Sequence, residues 1–218
     1  IFCLAWAIAF SGAATPGPFL ALVIAQVLAQ GFAAVIFVLL GHALLELVFI
    51  VGISYGLARV LDRRAVRGGL GLLGGTAMLA MGADIVWNAQ HMTISGSADA
   101  AMSPVVLVLA GAGVSLSNPY FTGWWATIGA GQVATFRLER PADYTAFWIG
   151  HEMGDIVWYV FIALVFGFGK AWINDAFYHG LLWTCGGAMI ALALVFLVVG
   201  SRCICSRNAD CEGAKGDS

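Results

Sequence analysis

Charge is what this sequence has least of. Asp, Glu, Lys and Arg make up 10% of its 218 residues, against about 25% in a soluble domain. A chain folded wholly in water is excluded, because too few charged groups exist to cover its surface. The balance of 10 basic against 12 acidic residues leaves a net charge of -2. No basic patch is present, which excludes a nucleic-acid partner. No glycine-rich loop follows a strand to cradle a phosphate, so a nucleotide site has no support. No nucleophile stands beside a base, which argues against an enzyme, and no cofactor is expected. The sequence also lacks a soluble domain and a long linker. What it has in quantity is hydrocarbon: 61% of residues are hydrophobic and the mean hydropathy is +0.92. The fold class expected is an all-α membrane protein, since apolar runs of about 20 residues cross a bilayer as helices.

Six apolar segments are read: Ile1 to about Gln26, Phe32 to Val60, Leu70 to Trp87, Pro104 to Gln132, Tyr144 to Phe168, and Phe177 to Gly200. The first is interrupted at Thr15-Pro16-Gly17-Pro18 and the fourth at Asn118-Pro119. Residues Ile1 to Ala14 have the apolar character of a signal-peptide core. No basic segment precedes them, so they are expected to belong to the first span. Residues 1–201 form a single transmembrane domain in this reading, and 202–218 a flexible cytoplasmic tail. Nine of the ten basic residues fall on one face if there are six spans: Arg59, Arg63, Arg64, Arg67, Arg137, Arg140, Arg202, Arg207 and Lys215. Only Lys170 falls opposite. The basic face of a membrane protein is cytoplasmic, which puts both termini inside a plasma or inner membrane.

A motif recurs at a distance of 109 residues. Gly41, His42, Glu46, Val48 and Phe49 repeat as Gly150, His151, Asp155, Val157 and Trp158. A histidine and a carboxylate are costly in hydrocarbon, and ionisable residues there are functional candidates. The second copy lies three spans after the first, so the second half enters the membrane from the opposite side. The expected architecture is two inverted three-helix repeats, over 1–90 and 104–200, with the first helix of each broken at proline. Proline removes a backbone donor and clashes with the preceding turn. The carbonyls it frees must find partners or line a wet cavity. Ser11 and Thr15, then Ser115, Ser117 and Asn118, are placed to supply hydrogen bonds. A single proline more often just kinks a packed helix. A matched pair, each ahead of a His-acid motif, points to a substrate site near the midplane.

His42 and Glu46 share a helix face at a spacing of four, as do His151 and Asp155. If the halves pack about a pseudo-two-fold axis, the four groups converge. Burial and a neighbouring imidazolium pull a carboxylate's proton affinity in opposite directions, and either outcome suits a group that binds and releases a proton or a cation. The plainer reading is two self-satisfied pairs that stitch helices together. Glu152 is placed either in the same cavity or against a polar neighbour. Asp84 is read as an interface residue, and His91 and His179 as solvated loop residues. Trp148 and Trp183 are expected to anchor or pack. Trp124 and Trp125 directly follow the second break and are better pocket candidates. The glycines, Gly71 and Gly75 among them, are expected to allow close helix packing. Cys203, Cys205 and Cys211 fall on the reducing side and make only a weak metal-binding pattern.

Thr15-Pro16-Gly17-Pro18, the Gly41 to Val48 segment, and Ser117-Asn118-Pro119-Tyr120 with Trp124-Trp125-Ala126-Thr127 resemble elements of the lysine exporter (LysE/RhtB) family. The resemblance covers nearly the whole chain. It implies a six-span exporter of amino acids or related small metabolites, driven by the proton gradient. A Gly-Asp pair is usual in the family's second span. Here it is Leu45-Glu46, while Gly154-Asp155 restores it in the second half. The candidate substrate-binding or proton-coupling residues are Glu46, Asp155, His42, His151, Pro16, Gly17, Pro18, Asn118, Pro119 and Trp124. The partners expected are a small-molecule substrate and the lipid bilayer, with self-association left open. The alternative is a divalent-cation exporter, with His42, Glu46, His151 and Asp155 around the ion.

Overall fold

Proline sets where the helices of this protein start. Its fixed backbone angle suits the first helical position, where its missing N–H costs nothing. Pro18, Pro104, Pro119 and Pro141 each open a helix. The computed structural model describes residues 1–15, 17–91, 101–169 and 174–205, with the side chains of Ser11 and Cys205 set aside. Pro16, Lys170, Arg207, Cys211, Lys215 and the tail from residue 206 lie outside the described residues.

The elements are α1 (Phe2–Ala13), α2 (Pro18–Gln30), α3 (Phe32–Ser54), α4 (Leu57–Leu61), α5 (Arg64–Asn88), α6 (Pro104–Ser117), α7 (Pro119–Trp124), α8 (Ala130–Phe136), α9 (Pro141–Gly169) and α10 (Asp175–Cys205). A short 3-10 turn, Ala89–His91, follows α5, and a π-helical turn, Trp125–Gly129, joins α7 to α8. Every described element is helical. Among the described residues, four helices are long and apolar enough to cross a membrane: Phe32–Ser54, Arg64–His91, Pro141–Gly169 and Asp175–Ile204. The pair Pro104–Ser117 and Pro119–Phe136, bent by 64°, makes a fifth if it is one crossing. The first apolar segment divides into α1 and α2, of 12 and 13 residues. Neither alone is long enough to span hydrocarbon. Large apolar side chains such as Val48, Leu73, Leu109, Phe161 and Val195 are exposed on the outside of the bundle, as lipid contact requires.

Several boundaries depart from the hydropathy reading, each for a local reason. The second segment ends at Ser54, because Gly56 adopts φ +98° and turns the chain into α4. Positive φ of this kind is cheap only for glycine. The helix of the third segment, α5, begins at Arg64 rather than Leu70; arginine is a good helix former, and hydropathy alone hides that turn. His179 lies within α10, half-buried with its ring 6.4 Å from that of Trp183, rather than in a loop. The helix of the sixth segment, α10, runs on to Cys205, past the end of the apolar run.

The packing partners exchange between the two halves of the chain. Helix α1 packs on α9, α6 packs on α3, and α5 packs on α10. Glycines allow each approach. A Cβ on Gly41 would collide with the Val108 carbonyl of α6, and one on Gly111 with the Val38 carbonyl of α3. A Cβ on Gly150 would stand 2.7 Å from the Phe2 carbonyl oxygen of α1. The repeated glycine of the motif therefore meets, in each copy, the first half-helix of the other half. Gly71 and Gly200 do the same between α5 and α10, where a Cβ on Gly71 would lie 3.0 Å from the Gly200 Cα.

Candidate functional site

The close approach of α3 to α6 and of α9 to α1 carries the two His-acid motifs to the centre. His42 and Glu46 lie mid-way along α3, and Asp155 mid-way along α9, all buried. Glu46, 3% exposed, is the hub. Its Oε1 lies 3.3 Å from His42 Nε2 and 3.3 Å from His151 Nε2. The indole Nε1–H of Trp125 donates to the same oxygen at 3.3 Å. Asp155 Oδ2 lies 3.7 Å from His151 Nε2. The pairs are therefore not two separate stitches, since one carboxylate serves both histidines. Glu46 Oε2, Asp155 Oδ2 and His151 Nδ1 are buried without a hydrogen-bond partner. Buried polar atoms usually have partners, so each unsatisfied one calls for an explanation.

These groups open on a cavity of about 60 Å³. Aromatic side chains wall it: Phe19, Tyr120, Phe121, Trp124, Trp125 and Tyr159. The His42 ring lies 4.4 Å from Phe19, and the His151 ring 5.2 and 5.0 Å from Trp124 and Trp125. Among the described residues, no Lys or Arg lines it. The wall therefore offers acceptors and π faces, which attract a cation or a hydrogen-bond donor. His42, Glu46 and Asp155 also offer ligand atoms within 4.8 Å of one another, a spacing a metal ion can bridge.

Both helix breaks reach this cavity. Thr15 and Gly17 line it from the first, Asn118 and Tyr120 from the second. Thr15 Oγ1 donates to Tyr120 Oη at 3.1 Å, so the breaks are bonded to each other across the molecule. The second break is stitched locally: the Asn118 side chain accepts from the Tyr120 N–H at 3.0 Å, and the Ser117 hydroxyl donates to the Val114 carbonyl at 3.0 Å.

Of the residues singled out from sequence, His42, Glu46, His151, Asp155, Gly17, Asn118 and Trp124 line the one cavity. Pro18 and Pro119 do not; they fix the starts of α2 and α7. Pro119 instead borders cavities of about 190 and 130 Å³ on the opposite face of α7, the second reaching Asp62 and Arg67. Glu152 is buried with Oε1 unpartnered, yet is absent from the cavity wall. The half-buried Trp148 packs, donating to the Ala43 carbonyl at 3.1 Å, and Trp183 is exposed. Asp84 is exposed and accepts from Asn88 at 2.8 Å. Sequence reasoning took Ser115 only as a hydrogen-bond donor near the second break, and left out Phe19 and Tyr159. The last lies four residues after Asp155, on the same helix face, a signal that was available.

A cavity ringed by intramembrane acids, histidines and two broken helices is the kind of site a translocator has. The model of the LysE type translocator family matches residues 10–200. The chain belongs to the LysE type translocator family. No curated protein and no solved structure matches it. Membership makes this LysE type protein a multi-pass membrane transporter of small molecules rather than an enzyme, with lipid around it. The match runs through both helix breaks and both His-acid motifs.

Proposed function

We propose that this LysE type translocator exports amino acids or related small metabolites by proton antiport. In this reading it has six spans in two inverted repeats, with α1–α2 and α6–α8 as the broken first spans. The observation that carries the reading is the convergence on one cavity of both His-acid motifs and both breaks. Each acts on what an amino acid presents. Glu46 and Asp155 receive the ammonium group or the coupling proton. The backbone N–H groups at the start of α2, left without a side-chain cap, receive the carboxylate. The aromatic walls take the remainder. Proton entry supplies the driving force, roughly 2.3 kcal/mol per charge through about 100 mV. The exchange of packing partners between halves supports the inverted repeat, because a pseudo-two-fold axis produces that pattern.

The cavity is small. Sites that enclose a drug-sized ligand have about 300–1,000 Å³, so the site must open to admit cargo. Helix α7 is the wall with space behind it, between the Asn118 break and the π-helical turn. Such turns often mark functional sites.

A second reading is export of a divalent metal, favoured by the His42–Glu46–Asp155 cluster. One experiment separates the two: purified protein in vesicles, loaded with an amino-acid mixture or with zinc, under an imposed pH gradient. Amino-acid export without a metal effect supports the leading reading. Zinc transport that is lost in His42→Ala and His151→Ala replaces it with the second.

A further inference from the structure

The two histidines of the repeated motif are not held alike. His42 Nδ1 lies 2.7 Å from Ser115 Oγ on α6, and Ser115 Oγ lies 2.7 Å from the Gly111 carbonyl oxygen one turn earlier. Both contacts are buried. A hydroxyl has one proton to give, and the Gly111 carbonyl can only accept. If the hydroxyl donated to His42, two bare oxygens would face each other at 2.7 Å. Both contacts are satisfied only when Ser115 donates to Gly111 and accepts from His42 Nδ1–H. His151 has no such support: its Nδ1 is buried without a partner. The helix packed against it, α1, turns small apolar residues such as Ala9 and Ala13 toward the cavity.

We propose that Ser115 is a positioning residue that holds a proton on His42 Nδ1 and so turns Nε2 toward Glu46 and the cavity. Which ring nitrogen carries the proton is set by the hydrogen bond the other nitrogen makes. With Nδ1 committed to Ser115, Nε2 is the ring atom that meets Glu46 Oε1, at 3.3 Å, and a proton on Nε2 pairs the two. When that proton leaves, two acceptors stand side by side and form a seat for a group bearing N–H donors, such as an amine. The duplicated motif is thus functionally unequal: the His42 side is a fixed receptor, and the His151 ring, though packed against Trp124 and Trp125, has no hydrogen bond at Nδ1. The tautomer stands independently of the transport reading; the seat's use for cargo rests on it.

The test is nitrogen NMR of the full-length chain in lipid nanodiscs, with 15N-labelled histidine and His42→Gln to assign the signal. The His42 signal is expected to show a protonated Nδ1 in wild type and in Ser115→Thr, and to lose that preference in Ser115→Ala. A His42 ring protonated on Nε2 only, or a signal unchanged in Ser115→Ala, overturns the proposal. In vesicles loaded with mixed amino acids, Ser115→Ala is expected to raise KM about tenfold, the fold-change of one lost hydrogen bond, with kcat changed less and Ser115→Thr restoring it. Absence of all amino-acid export in wild type would count against the transport reading and leave the NMR result decisive for Ser115.

Discussion

Glu46 holds the site together through a single oxygen. Trp125, fully buried, donates to it, and both histidines face it. Trp125→Phe keeps the ring's bulk but removes the donor. A hydrogen bond to a charged group contributes about 1.5–3 kcal/mol, so this variant should lose transport affinity by at least tenfold while still reaching the membrane. Binding or export assays beside membrane quantification would check it. The repeated His-acid motif was legible from sequence because costly residues in hydrocarbon stand out and the spacing recurred. Ser115 was noticed only as a hydrogen-bond donor near the second break. Its contact with His42, 73 positions away, depends on the approach of two helices that no local pattern encodes.

At the scale of elements, the glycine contacts decide the geometry. The motif glycines bring each middle helix against the other half's broken helix, and a Cβ at Gly41 would drive into backbone. Overpacking costs about 1–3 kcal/mol and more where backbone must move. Gly41→Ala and Gly111→Ala are expected to lower the unfolding temperature in detergent. Gly113→Ala, where a Cβ meets nothing within 4 Å, should leave it unchanged or raise it. Equal effects at Gly111 and Gly113 would mean the close α3–α6 contact is not what holds the site. The helix breaks were legible because proline and its polar neighbours interrupt apolar runs. The π-helical turn at Trp125–Gly129 was not, since its sequence reads as ordinary apolar helix.

At the scale of the molecule, the open quantity is parity. Four long apolar helices and one bent pair make up to five crossings, and α1 with α2 supplies the sixth in the proposed architecture. Six crossings put both ends on the same side; five put them on opposite sides. Reporter fusions at the two termini should both read cytoplasmic, in keeping with the arginines of the α3–α5 and α8–α9 connections. Ends on opposite sides would remove α1–α2 from the count and the inverted repeat with it.

The central claim is that the buried acids couple cargo to protons. The direct test is export by purified protein in vesicles under an imposed pH gradient, comparing wild type with Glu46→Gln and Asp155→Asn. Both replacements keep shape and remove the charge. The account predicts that each variant inserts and folds like wild type but abolishes gradient-driven export. Full export by both variants would contradict it.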